Sequence, residues 1–265
     1  MTTAVAVRPR RYVAHVMGMP VSLALRGDHA DDAEGRGAWA EAMATLADVD
    51  RVFSTYRADS HVSRLDRGEI GVVDCPPEVA QVLALGERAR AESGGAFDVR
   101  RPGPDGRRVL DPSGVVKGWA AERAAHPLRL LPGTDFCLSV GGDVVCHTVR
   151  DDHPDWRVGI EDPRDPGRVL AVVPVRNGAV ATSGATHRGA HVVDARDGTV
   201  PRRVASVTVV HSDLTWADID ATAAYALDGT ALEWLRTRPG RSGLVVWADR
   251  RREVFGARPQ DRAGR

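Results

Sequence analysis

Short runs of β-branched and other apolar residues dominate the second half of the chain, and they constrain its fold more than any other feature. They predict strands at 136–140, 144–148, 156–160, 169–175, 190–193, 204–211, 244–247 and 253–255, and residues 12–25 add a strand pair around Gly18 and Pro20. Because only a few helices separate these runs, the chain lacks the regular strand–helix alternation of a parallel fold. The pattern therefore predicts the α+β class.

Four helices are predicted from end signals and from apolar residues at helical spacing. They cover 38–53, 77–92, a segment that starts near Ser113 and stops before Pro127, and 216–227, whereas 54–67 is polar and aperiodic. No internal repeat or linker divides the chain. We therefore expect a single domain over 11–256, with flexible tails at 1–10 and 257–265.

The charge balance and the cysteines exclude several classes of protein. The 265 residues carry 36 basic and 36 acidic side chains, whereas a nucleic-acid binder normally has a strongly basic face. No apolar run is long enough to span a membrane. The N-terminus shows no signal peptide or lipidation motif, so we expect a cytoplasmic protein. The three cysteines, Cys75, Cys137 and Cys146, are widely spaced, which argues against a disulfide scaffold or a cysteine metal site.

Lys117 is the only lysine among the 36 basic residues. Arginine cannot replace the compact ammonium of lysine in a tight site, so this lysine either marks such a site or survives by chance. It follows Asp111 and Gly114 at the predicted start of a helix, where backbone N–H groups and the helix dipole favour an anion. An ordinary strand–turn–helix with a solvated lysine is the alternative. The two features together favour a phosphate site, although the glycine spacing is not that of a Walker A loop.

A second candidate site lies on the last predicted helix. Asp218 and Thr222 are four residues apart and share one helical face, where carboxylate and hydroxyl oxygens suit Mg²⁺. Thr215 and Asp218 also have the spacing of a capping box, and spacing alone favours the cap over the metal. Asp220 points away from that face, and we expect it to be solvated.

His187 and His191 are four residues apart, a spacing also found in zinc sites. Gly189 and the strand-like residues that follow disfavour the helix that would place both rings on one face. We therefore do not expect zinc here. His191 is interpreted either as a general base or as a structural histidine.

Seven segments of the chain match one family in order. They are MGMPVSLAL (17–25), FSTYRADSHVSRLD (53–66), GGAFDVR (94–100), DPSGVVKGWAAERA (111–124), LSVGGD (138–143), ATSG with AHVVDARDG (181–198), and SVTVV with ADIDATAAY (206–225). This order resembles the ApbE-type FAD:protein FMN transferases from about residue 14 to about residue 256. The resemblance implies a single ApbE-like, T-fold-like domain with mixed, largely antiparallel sheets and several packed helices.

The resemblance also implies an activity and a set of site residues. Family members split FAD in a Mg²⁺-dependent reaction, join FMN through a phosphoester to a Thr or Ser of a target protein, and release AMP. The implied FAD-binding residues are Met17, Tyr56, Ala96, Phe97, Asp98, Asp111, Lys117 and His191, and the implied Mg²⁺ ligands are Asp218, Thr222 and the Gly114 carbonyl. His191, Lys117 and Asp218 would be the catalytic residues. The resemblance therefore favours the interpretation of Asp218 as a metal ligand over its interpretation as part of a capping box.

The chain departs from the family pattern at two places. The segment between Asp98 and Asp111 is short, and the pattern that follows His191 lacks its usual proline and threonine. Three alternatives to the transferase stay open: an FAD pyrophosphatase with water as acceptor, a flavin-binding module without chemistry, and a domain for another nucleotide. Release of AMP separates the two enzymes from the binding module, and covalent flavin on an acceptor separates the transferase from the pyrophosphatase. A domain for another nucleotide would show no FAD affinity.

Overall fold

Antiparallel β-structure forms the centre of the molecule. The computed structural model describes residues 8–103, 106–185 and 192–256. The strands within these ranges are β1 (Arg10–Val16), β2 (Met19–Gly27), β3 (Arg100–Pro102), β4 (Arg108–Leu110), β5 (Thr134–Val140), β6 (Asp143–His147), β7 (Trp156–Asp162), β8 (Asp165–Val175), β9 (Gly178–Gly184), β10 (Val204–His211), β11 (Ser242–Trp247) and β12 (Arg252–Phe255). Eight of them form one sheet in the order β1-β2-β5-β6-β9-β10-β11-β12, and β3-β4 and β7-β8 form two separate ribbons.

The helices are α1 (Ala33–Phe53), α2 (His61–Asp66), α3 (Pro77–Glu92), α4 (Ser113–Ala124), α5 (His126–Arg129), α6 (Leu214–Ala226) and α7 (Ala231–Arg236). Short 3₁₀ turns lie at Val72–Asp74 and Asp228–Thr230. No helix in the described part of the chain is long and apolar enough to cross a membrane.

The large sheet lies between two layers because successive strand residues point to opposite faces. On one face, Leu23 and Val145 belong to the main core together with residues of the helices, such as Leu46 of α1 and Ile219 of α6. On the other face, Val144 and its neighbours pack against the β7-β8 ribbon. The helices and the ribbon therefore cover opposite faces of the sheet.

The α+β class predicted from the strand pattern is confirmed, and so are most of the predicted elements. Three local predictions are wrong. The segment 54–67 contains α2, whose N-cap Ser60 accepts a hydrogen bond from the Ser63 N–H. Val192 and Val193 are not in a strand. The N-cap of α6 is Asp213 rather than Thr215, so no capping box occupies Asp218.

Helices α4 and α6 pack closely against each other at Gly118. A Cβ atom there would lie 2.6 Å from the Leu214 carbonyl oxygen and 2.8 Å from the Asp218 Cβ. Only glycine lets the two helices meet at this distance. The contact brings residues of α4 next to Asp218 of α6.

Gly118→Ala is expected to lower the free energy of unfolding by about 3 kcal/mol, because backbone and Cβ atoms must move apart in a packed interface. The matched control is Gly37→Ala in α1, where a Cβ would meet nothing within 4 Å. We expect that change to raise stability by up to about 1 kcal/mol, since alanine favours a helix over glycine. Urea unfolding of both variants checks the pair. Equal midpoints would contradict the packing argument.

Candidate active site

A cavity of about 470 Å³ opens where the sheet, helices α4 and α6 and the β7-β8 ribbon meet. Its floor includes the β5-β6 turn, in which Gly141 and Gly142 have φ values of 58° and 96°. A two-residue hairpin turn with both φ values positive requires residues such as glycine. The turn ends at Asp143, the first residue of β6, whose side chain lines the cavity.

Lys117 of α4 lies between two buried carboxylates. Its Nζ is 2.7 Å from Asp143 Oδ2 and 3.2 Å from Asp218 Oδ1, and the two acidic side chains are 2% and 1% exposed. Asp143 Oδ1 accepts the Thr182 N–H, and Asp218 Oδ2 accepts the Gly118 N–H, each at 3.0 Å. One ammonium therefore faces two carboxylates in a water-poor site.

The pKa of Asp218 is raised to about 7. Burial is the main cause and the nearby Asp143 carboxylate adds to it, whereas the Lys117 ammonium and the Gly118 N–H oppose it. Asp143 Oδ2 makes no hydrogen bond with the described residues, although the Lys117 ammonium is near it. Asp143 Oδ2 thus has unused capacity to accept a further donor or a cation in the cavity.

Hydroxyl groups and a close-packed glycine complete this end of the cavity. Thr222 lies one turn after Asp218 on α6, and its Oγ1 is 2.9 Å from Ser183 Oγ of β9. Gly114 lies in the first turn of α4, and a Cβ there would lie 2.9 Å from the Phe97 ring. Gly114, Asp218 and Thr222, the residues predicted to bind metal, all line the same cavity.

Four more of the predicted flavin-site residues line the cavity, namely Ala96, Phe97, Asp98 and Asp111. The two aspartates are held by arginines, since Arg108 Nη2 is 2.6 Å from Asp98 Oδ2 and Arg101 Nη2 is 2.8 Å from Asp111 Oδ2. Arg101 belongs to β3 and Arg108 to β4, so these pairs connect both strands of the β3-β4 ribbon to the two aspartates.

Two predicted residues are not gathered there. Tyr56 is 99% exposed on a turn after α1. Met17 is a partly buried turn residue with φ 56° that packs against the main core. Neither lines the cavity. His191, together with His187, lies outside the described residues.

Two contributions to this site were not predicted from the sequence. Asp143 was noted only as the end of a glycine-rich segment, although a polar residue after a Gly-Gly turn was the available signal. The β7-β8 ribbon supplies Gly159, Glu161, Pro163, Gly167 and Val169 to the wall. Nothing in the local sequence indicated that this pair of strands leaves the main sheet and covers the cavity.

Lys117→Arg is expected to weaken FAD binding by roughly tenfold even though it keeps the positive charge. The ammonium lies within 3.2 Å of two carboxylates, and the longer planar guanidinium cannot take that position without moving them. Fluorescence titration with FAD measures the change. An exposed ion-pair residue, Arg251→Lys, is the control and should not alter binding. An unchanged FAD affinity of Lys117→Arg would contradict the inference that this single lysine marks a tight site.

Comparison with known proteins shows which family the chain resembles. The ApbE family model matches residues 17–101 and 103–245. The FAD:protein FMN transferase of Haemophilus influenzae is 25% identical over 256 residues, covering 73% of each chain. That of Treponema pallidum is 33% identical over 163 residues, covering 54% of this chain and 44% of its own.

Solved structures agree in fold. The Pseudomonas stutzeri flavinyl transferase ApbE superposes with a TM-score of 0.79 at 20% identity, covering 96% of this chain and 97% of its own. The flavin transferase ApbE of Vibrio cholerae has a TM-score of 0.76, also at 20% identity, over 93% and 97%. Because the family match extends over most of the sequence, the chain belongs to the ApbE family.

Proposed function

We propose that this chain is a Mg²⁺-dependent FAD:protein FMN transferase that attaches FMN to a Thr or Ser of an acceptor protein and releases AMP. The observation that carries the proposal is Lys117 held between Asp143 and Asp218 in the cavity. The similarity to FAD:protein FMN transferases supports the choice of substrate.

The donors at the inner end of the cavity fit magnesium. They are oxygen atoms of carboxylate, hydroxyl and backbone groups, which are the ligands that Mg²⁺ prefers. We assign Asp218, Thr222 and the Gly114 carbonyl to the ion. Within the described ranges, no three His, Cys, Asp or Glu side chains gather as a metal site. Mg²⁺ held by one or two carboxylates and substrate phosphates needs no such cluster.

Charge supports the same assignment. With both carboxylates ionised, the Lys117 cluster carries a net negative charge, which attracts a divalent cation and repels a bare pyrophosphate. When bound, the metal ion supplies charge neutralisation for the pyrophosphate and its leaving group. Lys117 and the start of α4 add further positive potential beside the phosphates.

The reaction forms one bond and breaks another at the FMN-side phosphorus of FAD. The acceptor hydroxyl oxygen bonds to that phosphorus, the bond from the same phosphorus to the bridging oxygen of the pyrophosphate breaks, and the bridging oxygen leaves as part of AMP. The proton of the hydroxyl passes to a base, a role that we propose for His191. The protein contributes mainly positioning and electrostatics, as is usual for transfer of phosphoryl-type groups.

Mg²⁺ affinity is expected to fall by about tenfold per pH unit as the pH drops below about 7. Asp218 has its pKa raised to about 7, so below that value a proton occupies the carboxylate and competes with the metal. Isothermal titration with MgCl₂ from pH 6 to pH 8 measures the slope. An affinity that does not change across this range would contradict the role of Asp218.

The transfer itself is tested with an acceptor domain that carries a Ser or Thr flavinylation segment. The purified chain is incubated with FAD and MgCl₂, with and without the acceptor, while AMP and intact masses are followed. We expect an acceptor mass gain equal to FMN, equimolar AMP, and no gain on a Ser/Thr→Ala acceptor. AMP and free FMN without a mass gain would indicate the pyrophosphatase instead, and bound FAD without AMP would indicate a binding module.

A further inference from the structure

Two of the three cysteines face each other across neighbouring strands. Cys137 of β5 and Cys146 of β6 are direct partners in the antiparallel register. Their Sγ atoms are 3.7 Å apart, with the Cys146 thiol donating to Cys137. Cys146 is 1% exposed, whereas Cys137 is partly exposed. The third cysteine, Cys75, lies on the turn before α3 and contacts the Gly71 carbonyl.

We propose that Cys137 and Cys146 form a redox-active dithiol that low-molecular-weight disulfides oxidise to a cross-strand disulfide. This site lies on the ribbon-covered face of the sheet, outside the cavity described above. It does not depend on the proposed function.

The geometry across the sheet favours reaction at Cys137. The register aligns Arg11, Ala24, Cys137, Cys146 and Gly178 in one row across five strands. Side chains of one such row lie on the same face of a sheet. Ala24 is short, so no large side chain separates the exposed Arg11 from Cys137. Gly178 has no side chain, so none from its position crowds Cys146 from the other side.

The two thiols have different pKa values, which assigns them different roles in the exchange. The hydrogen bond from Cys146 lowers the pKa of the Cys137 thiol, and the positive charges of Arg11 and Arg26 add to this. The same contact, together with burial, raises the pKa of Cys146. Since the thiolate is the nucleophile in thiol–disulfide exchange, Cys137 is the attacking sulfur and Cys146 the resolving one.

The oxidation balances with one small disulfide as the oxidant. The Cys137 thiolate attacks one sulfur of the small disulfide, forming a mixed disulfide and releasing one small thiolate. Cys146 then loses its proton and attacks the Cys137 sulfur, which releases the second small thiolate. Two protein thiols are oxidised and one small disulfide is reduced. The sulfurs must approach from 3.7 Å to the bond length of about 2.05 Å.

The disulfide would lie in the hairpin that carries part of the cavity. Only three residue pairs, 138 with 145, 139 with 144 and 140 with 143, separate the cysteines from the Gly141-Gly142 turn. Cys146 also packs with Val158 and Val175 of the ribbon that forms the cavity wall. Oxidation would therefore link β5 covalently to β6, the strand that begins at Asp143.

Thiol counting on the folded full-length chain tests the proposal. The protein is treated with oxidised glutathione, quenched in acid, denatured, labelled with a maleimide and weighed. We expect the wild type to fall from three labelled thiols to one, and Cys75→Ser to fall from two to none. Dithiothreitol should restore both counts, and peptide mapping should join the segments that contain Cys137 and Cys146.

The matched control is Cys75→Ser/Cys137→Ser, which leaves Cys146 alone. Its single thiol should stay labelled at the same glutathione concentration, because the buried sulfur has lost its neighbour. Two labelled thiols in oxidised Cys75→Ser would overturn the proposal, as would a stable glutathione adduct on Cys137 or a link between two chains.

Discussion

Asp218→Asn is expected to lower the rate of AMP release from FAD by about 10²–10³-fold, the usual cost of removing one preorganised electrostatic group from an active site. Asparagine keeps the shape of the side chain and an oxygen for the Gly118 N–H, which Asp218 now accepts at 3.0 Å. It loses the charge that faces Lys117 and the proposed magnesium ion. Steady-state AMP release at saturating FAD and MgCl₂ measures the loss.

The same variant should not lose stability. Burial raises the pKa of Asp218 to about 7, so the ionised carboxylate is held in the folded state at a cost, and a neutral amide avoids that cost. We expect an unfolding midpoint at pH 8 equal to or above that of the wild type. A large fall in both activity and midpoint would show that Asp218 is a structural residue, which would contradict its assignment to the site.

Asp220→Asn is expected to have the opposite profile, with a loss of about 3–5 kcal/mol in the free energy of unfolding, as when one partner of a buried ion pair is removed. Asp220 is 0% exposed and accepts Arg238 Nη2 at 3.0 Å and Arg241 Nε at 2.7 Å. The substitution removes the charge that Arg241 faces and leaves Arg238 with Glu92, whose Oε2 is 2.6 Å from Arg238 Nη2. Urea unfolding followed by circular dichroism measures the change.

A surface ion pair provides the control for Asp220. Asp249 pairs with Arg251 at 2.7 Å, but both side chains are exposed. Solvent screens such a pair, so we expect the unfolding midpoint of Asp249→Asn to match the wild type. Equal midpoints for Asp220→Asn and Asp249→Asn would contradict the structural role of the buried cluster. At a temperature where it is folded, Asp220→Asn should retain most of its AMP release.

The α6 helix shows what sequence spacing could and could not predict. Spacing put Asp218 and Thr222 on one face, and both line the cavity. It also placed Asp220 in solvent, which is wrong. That expectation assumed an amphipathic helix with one solvent-exposed face, whereas nearly every residue of α6 is buried. A carboxylate on its far side therefore meets Arg238 and Arg241 rather than water.

Contacts between segments that are far apart in the sequence could not be predicted from local sequence patterns. The Gly118 N–H bonds to a carboxylate 100 residues later in the chain, and Asp143 joins the same cluster from a hairpin turn. The order of short motifs along the chain indicated the family, and the family resemblance assigned both Lys117 and Asp218 to the active site. The position of the β7-β8 ribbon, and the facing of Cys137 and Cys146, depend on the sheet order and became visible only in the structure.

The most direct test of the central claim is AMP release from FAD by the purified chain, in MgCl₂ and after removal of divalent ions with EDTA. Wild-type protein and Asp218→Asn are measured side by side at pH 8. The account predicts rapid release by the wild type with Mg²⁺, none with EDTA, and recovery when Mg²⁺ is restored, with Asp218→Asn about 10²–10³-fold slower under all conditions that support release. Equal AMP release by both proteins, or release that is unaffected by EDTA, would contradict it.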